Sequence, residues 1–156
     1  MNVIGFGILG VVFSFIVLDC SGLNFPVIGK QASLVGGVKE DLGVAVPSSL
    51  RVMHAARVAT RDPAYLYECE IAAGDVGKLI DDLNAAAASK AYSTDWERDK
   101  RYASGATTPA WYTPGSCADI QQLKIALPDS PHHPATGYWF FFSRAAGKVW
   151  VFWYST

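Results

Sequence analysis

The sequence predicts an α+β domain: an antiparallel sheet in the order β-β-α-β-β with one main helix packed on one face, preceded by an apolar N-terminal signal or anchor segment. Three observations predict it. Residues 50–58 and 65–71 alternate apolar and polar side chains with a period of two, the pattern of half-buried strands. Residues 76–83 repeat Val76, Leu79, Ile80 and Leu83 at helical spacing, which marks one buried helical stripe. The chain then closes on two β-branched and aromatic runs, residues 138–143 and 148–155, separated by Arg144-Ala145-Ala146-Gly147, a hairpin pattern.

From Val3 to Leu18 every residue is apolar or glycine except Ser14, and the first charge is Asp19. As a helix this run is about 24 Å long, short of the roughly 30 Å hydrocarbon core of a bilayer. It suits a signal-peptide core or a short anchor, although Met1 and Asn2 supply no Lys or Arg. Cleavage after Gly22 would place Cys20 and Gly22 at the small-residue positions that a signal peptidase reads. Lipidation at Cys20 would need a small residue where Asp19 stands. The expectation is therefore export to a periplasmic or extracellular location, with residues 1–22 as a signal peptide or residues 3–18 retained as an anchor. The same run contains Gly5, Gly7 and Gly10 in a formal G-x-G-x-x-G. Only Val3 and Ile4 precede it as strand, and residues 11–18 are apolar all round rather than amphipathic, so no nucleotide cofactor is implied. No other cofactor is implied either.

Residues 23–46 read as a lead-in or linker. They carry Gly29, Gly36, Gly37, Gly43 and the charged group Lys39-Glu40-Asp41, with a short strand at residues 32–38 as the one element suggested. Residues 47–156 form the single expected domain. After Pro47-Ser48-Ser49, Leu50, Val52, His54, Ala56 and Val58 share one face of the first strand, and Arg61-Asp62-Pro63 supplies turn chemistry. On the second strand Tyr65, Tyr67, Cys69 and Ile71 alternate with Leu66, Glu68 and Glu70. Asp75 is the expected N-cap of a helix running to about Ser89, with Asp81 and Asp82 on its wet side. Thr94-Asp95-Trp96-Glu97 fits a capping box and predicts a short helix over residues 95–102, with Glu97 and Arg101 four apart on its surface. A loop with Trp111 and Tyr112 follows. Residues 120–127 predict a short strand or helix, and residues 128–134 a loop. Gly147 suits the left-handed position of the final hairpin.

The 13 basic and 14 acidic residues give a net charge of −1 and are scattered along the chain. With no basic face to neutralise phosphates, nucleic acid is excluded as an expected partner. Membrane contact is expected only through the N-terminal segment. Setting Cys20 aside leaves Cys69 and Cys117, an even pair for an oxidising compartment. Their disulfide would close a loop of about 48 residues, a constraint of about 4 kcal/mol in chain entropy.

Candidate chemistry is thin. His54, His132 and His133 are the three histidines, and adjacent His132-His133 between Pro131 and Pro134 lacks metal-ligand spacing, so no metal site is expected. No G-x-S-x-G frames a nucleophile, and Gly115-Ser116-Cys117 lacks a strand-turn-helix setting. Glu68 and Glu70 lie about 7 Å apart on one strand face, a glycosidase-like separation. That face reads as solvated, which removes the raised pKa a general acid requires. No catalytic residue is assigned. What is in excess is aromatic surface: Trp139, Trp150, Phe152 and Tyr154 on the last hairpin, with Trp111 and Tyr112 in the loop before it. One helix covers one face of a sheet, so the second aromatic face needs another cover: the loop with Trp96, Trp111 and Tyr112, or a partner. The resulting expectation is a non-catalytic, envelope-associated binding module, of inhibitor or immunity type, that contacts a protein partner through those six aromatics. A glycan- or peptidoglycan-binding module is the alternative, and an envelope hydrolase the third class.

Overall fold

The computed structural model describes residues 24–26, 29–58, 64–97, 108–128 and 136–155. The apolar N-terminal run, the Arg61-Asp62-Pro63 turn, His132 and His133, and residues 98–102 of the expected short helix lie outside the described residues.

The fold is α+β. In chain order the elements are β1 (Asn24–Pro26), α1 (Lys30–Gly37) running into a π-helical turn (Val38–Leu42), β2 (Arg51–Val58), β3 (Ala64–Glu70), α2 (Ala73–Ser89), β4 (Ser93–Glu97), a 3₁₀ turn (Pro114–Ser116), β5 (Gln121–Ala126), β6 (Thr136–Ser143) and β7 (Lys148–Ser155). The strands form one antiparallel sheet ordered β1-β2-β3-β7-β6-β5-β4, in which six full strands are extended at one edge by the three-residue β1. The hairpins β2–β3 and β6–β7 are those the alternation predicts. They meet because β7 pairs with β3 along its whole length, from Ala64↔Tyr154 to Glu70↔Lys148.

The main helix, α2, lays Val76, Leu79, Ile80, Leu83 and Ala87 on the sheet, all buried. Burying an aliphatic side chain is worth about 1.5–3 kcal/mol, so these outweigh the roughly 1 kcal/mol that Gly74 and Gly77 each cost a helix. Its N-terminus differs from expectation. The helix starts one turn earlier, at Ala73, and Asp75 is a first-turn residue rather than the cap. Ser49, just before β2, completes this end: its hydroxyl donates to Asp75 Oδ2 at 2.5 Å and accepts from Ala72 N at 3.4 Å.

Three further expectations are corrected. Residues 94–97 belong to strand β4, paired with β5 from Ser93↔Ala126 to Glu97↔Gln122. A capping box is a local signal worth about 1 kcal/mol, and the open edge of β5 offers a whole ladder of hydrogen bonds instead. The lead-in at residues 30–42 is not linker but helix, with Leu34, Val38 and Leu42 buried against the sheet. Gln31 docks it: its Oε1 accepts from Val52 N at 2.7 Å and its Nε2 donates to Leu50 O at 3.0 Å. A side-chain amide thus satisfies the stretch of β2 that β1 is too short to reach. Finally, β2 is not a straight alternation. A bulge between Val52 and His54 puts Leu50 and Val52 in the helix-covered layer and Val58 in the opposite one. Among the described residues no helix is long and apolar enough to cross a membrane.

Candidate functional site

The register of the central strands sets three aromatic side chains in one row on the helix-covered face. Tyr65 lies opposite Trp153, and Trp153 opposite Tyr138. Opposed residues of antiparallel strands share a face at about 4.5–5.5 Å. One pleat further on, Tyr67, Val151 and Phe140 form the next row, and here α1 closes over the sheet. The helix ends in the π-helical turn, a widening that often accompanies functional sites. Between turn and sheet is a pocket of about 340 Å³ lined by Tyr65, Tyr67, Tyr138 and Trp153 below and by Ser33, Leu34, Gly37, Glu40 and Asp41 above. Gly37 keeps this approach close, since a Cβ there would stand 3.2 Å from the Tyr138 hydroxyl, tighter than an ordinary contact.

The polar groups of the pocket are held in place. The Tyr138 hydroxyl donates to Asp41 Oδ2 at 2.5 Å, and Ser33 Oγ is 3.2 Å from the Tyr67 hydroxyl. Burial first, then the Asp41 carboxylate beside it, pushes the Tyr138 phenol far above its ordinary value; burial likewise raises Tyr67. Both phenols stay protonated donors at any physiological pH. The π-helical turn is pinned from behind, where the Asp41 carbonyl accepts from Lys90 Nζ at 2.7 Å and from the Tyr92 hydroxyl at 3.3 Å. Tyr65 and Trp153, both half-buried, meet at 5.3 Å between ring centroids with a 55° tilt, so they form a corner rather than a flat stack.

The aromatics expected to form a binding surface lie on the other face. There Trp150 is 1% exposed and Tyr112 5% exposed, packed with Leu66 and Phe141. Trp111, Cys117 and Ile120 pack against that cluster from the loop before β5. Trp150 and Tyr112 are therefore core within the monomer, because the 3₁₀-containing loop covers the centre of the face. Trp139, Phe152, Tyr154 and Trp111 are half-buried around it. Trp150 Nε1 is buried without a hydrogen-bond partner among the described residues.

Glu68 is on this face too, and it is not solvated. It is 6% exposed and accepts from Lys148 Nζ at 2.5 Å. The β2 bulge brings His54 opposite it, with Nε2 3.9 Å from Glu68 Oε2. That is too far for a hydrogen bond. The His54 ring instead stacks on Trp111 at 5.4 Å. Glu70 points to solvent beside Arg51 at 3.3 Å. The two carboxylates thus have different surroundings and do not form an acid–base pair.

The expected disulfide is not formed. Both cysteines are free, and the sheet stands between them: Cys69 belongs to the helix-covered core and Cys117 to the opposite cluster. Burial pushes the Cys69 thiol up to about 12. Among the described residues no three His, Cys, Asp or Glu side chains gather as a metal site. The pocket itself was the part hidden from sequence reasoning. Its signals were the alternating Tyr65 and Tyr67 and the four-residue spacing of Leu34, Val38 and Leu42. No protein-family model, curated protein or solved structure matches the chain.

Proposed function

We propose that this chain is an exported binding module and that its ligand enters the pocket between the π-helical turn and the Tyr65–Trp153–Tyr138 row. The observation that carries the reading is that row: three aromatic rings from three adjacent strands around an unfilled volume of about 340 Å³. Elsewhere on this face aliphatic side chains from the helices fill the space above the sheet. Pockets lined by aromatic rings with a few convergent polar groups are the usual build of a small-ligand site. The Ser33 hydroxyl is engaged with Tyr67 rather than with a base, which favours holding a ligand over transforming it. Contact through the hairpin is retained in this proposal but moves from Trp150 to Trp153 and Tyr138. The protein-partner reading then becomes a partner that inserts one group into the pocket.

The experiment is a ligand screen by thermal shift and NMR, with Trp153→Ala beside the wild-type chain. Saccharides, amines, carboxylates and amino acids form the panel. At least one class should stabilise the wild type and lose that effect in Trp153→Ala. If no class does so, or if stabilisation survives the substitution, the reading fails. Export is supported by the apolar run at residues 3–18 and is tested by N-terminal sequencing of chain recovered outside the cytoplasm. A start at Leu23 supports cleavage; full-length chain found in the cytosol overturns export.

A further inference from the structure

We infer that the ligand group the pocket takes is an organic ammonium, an alkylated amine whose charge lies in the Tyr65–Trp153 corner beneath Glu40. This rests on the pocket reading above and adds the chemical class. Two carboxylates, Glu40 and Asp41, line the pocket, and none of its lining residues carries positive charge. Lys39 precedes Glu40 in sequence and Arg57 faces Tyr65 across the β2–β3 pair, but neither lines the pocket. Asp41 is occupied by the Tyr138 hydroxyl. Glu40 is exposed at the rim and has no hydrogen bond or ion pair among the described residues. An anion would therefore meet two carboxylates and no cation.

The walls narrow the choice of cation. Inorganic divalent ions need six or more oxygen ligands, or an imidazole and thiolate set, at short fixed distances. This pocket offers rings, three phenols, a serine hydroxyl and two carboxylates. A ring face attracts a diffuse cation placed within about 6 Å of its centroid, and alkylation spreads the charge over a surface that is itself apolar. Tyr65 and Trp153, tilted at 55°, both line the pocket, and Tyr67 stacks beyond Tyr65 at 6.5 Å. A neutral sugar would stack on Trp153 equally well but would gain nothing from the charge of Glu40. The predicted discrimination is therefore charge at constant shape.

The test is calorimetric titration of the intact chain with choline and with 3,3-dimethyl-1-butanol, which has the same shape without the charge. Choline should bind at least about tenfold more tightly, and binding should weaken as salt is raised. Glu40→Gln, at an exposed position, should cost about tenfold in choline affinity with the melting temperature unchanged. Trp153→Ala should abolish binding, and Tyr65→Leu serves as a second wall variant if that protein does not fold. Equal binding of the neutral compound, or unchanged affinity in Glu40→Gln, overturns the ammonium class. If a neutral ligand binds and is lost in Trp153→Ala, the ammonium class falls while the pocket reading stands. If neither compound binds, the ammonium class falls, and the pocket reading falls with it only if the wider ligand panel also finds nothing.

Discussion

Substituting Trp150 separates a core aromatic from a surface one. Trp150 lies in the middle of β7, 1% exposed, between Glu68 of β3 and Phe141 of β6 in the ladder. Lys148 Nζ stands 5.6 Å above its ring and the Tyr112 loop closes over the cluster. Truncation to alanine removes all of this packing, and the flanking strands cannot collapse into the gap without breaking two hydrogen-bonded ladders. Buried Trp→Ala changes of this kind cost about 3–5 kcal/mol. Against a total of about 5–15 kcal/mol for a domain, that is a large fraction of the stability. For a chain of this size it corresponds to a fall in Tm of roughly 10–20 °C. Trp150→Phe should cost less than half as much, because it keeps an aromatic ring and deletes an indole N–H that has no partner among the described residues. Trp153→Ala, at a half-buried wall of the pocket, should cost less than Trp150→Ala. Urea and thermal denaturation followed by far-UV circular dichroism measure all three. A loss below about 1 kcal/mol in Trp150→Ala, or a larger loss in Trp153→Ala, would show that the loop does not cover this face and would refute the assignment of Trp150 to the core.

Three other outcomes follow from single contacts. Gly147 adopts φ +59, and a Cβ there would stand 2.9 Å from the Ile71 carbonyl; Gly147→Ala should destabilise by more than about 1 kcal/mol in chemical denaturation, and a neutral result would sink the turn assignment. With its thiol pushed up to about 12, Cys69 should resist iodoacetamide at pH 8 in the native protein while Cys117 is alkylated, as read by peptide mass spectrometry; comparable labelling of both would contradict the burial. Asp119 accepts from Ser143 Oγ at 2.6 Å and from Ala145 N at 2.8 Å, and these bonds hold its carboxyl below the usual value. A pKa lowered on folding stabilises above the unfolded carboxylate value and is lost as pH falls through the folded one. The stability gap between wild type and Asp119→Asn should therefore be constant above about pH 5 and close in more acid solution; a gap that widens on acidification would reverse the sign.

What the sequence made legible was local. The hairpin β6–β7 and the helix α2 announce themselves through periodicities that no neighbour has to supply. Both faces of the hairpin are also assigned correctly by simple alternation, Tyr138 with Phe140 and Phe142 against Trp139 with Phe141. The elements that escaped are those whose form depends on a partner. β4 carries a helix-start signal and becomes a strand because β5 has a free edge. The helix α1 contains Gly36 and Gly37, which lower its intrinsic propensity, and its buried residues fall every four positions, at 34, 38 and 42. That four-residue spacing suits one face of a helix and alternate positions on one face of a strand equally well, so it does not by itself select the helix. The β2 bulge is the third case. Met53 looks like any alternating residue, yet it is the extra residue that swings His54 to the other side, and it is left 40% exposed.

That bulge bears directly on the charge of the pocket. Had β2 continued in simple alternation from Val52, His54 would have shared the helix-covered layer with Val52 and Tyr67. Instead it faces Glu68, and Glu68 in turn draws the Lys148 ammonium to the same side of the sheet. Lys124 is likewise turned to that face, 5.3 Å over the Trp139 ring. On the helix-covered side Lys90 is spent on the Asp41 carbonyl and the Tyr92 ring. The sheet thus turns these basic groups away from the Tyr65–Trp153–Tyr138 row; Arg57, opposite Tyr65, stays on that face but does not line the pocket, and Glu40 and Asp41 have no counter-charge among the pocket's own residues. Asp41 is offset by the Tyr138 hydroxyl, but Glu40 gains no such bond for folding, since like charges repel and the rings attract only cations. The deficit is made good when a positively charged group enters from outside, and that is the physical ground for reading the pocket as a site for an ammonium.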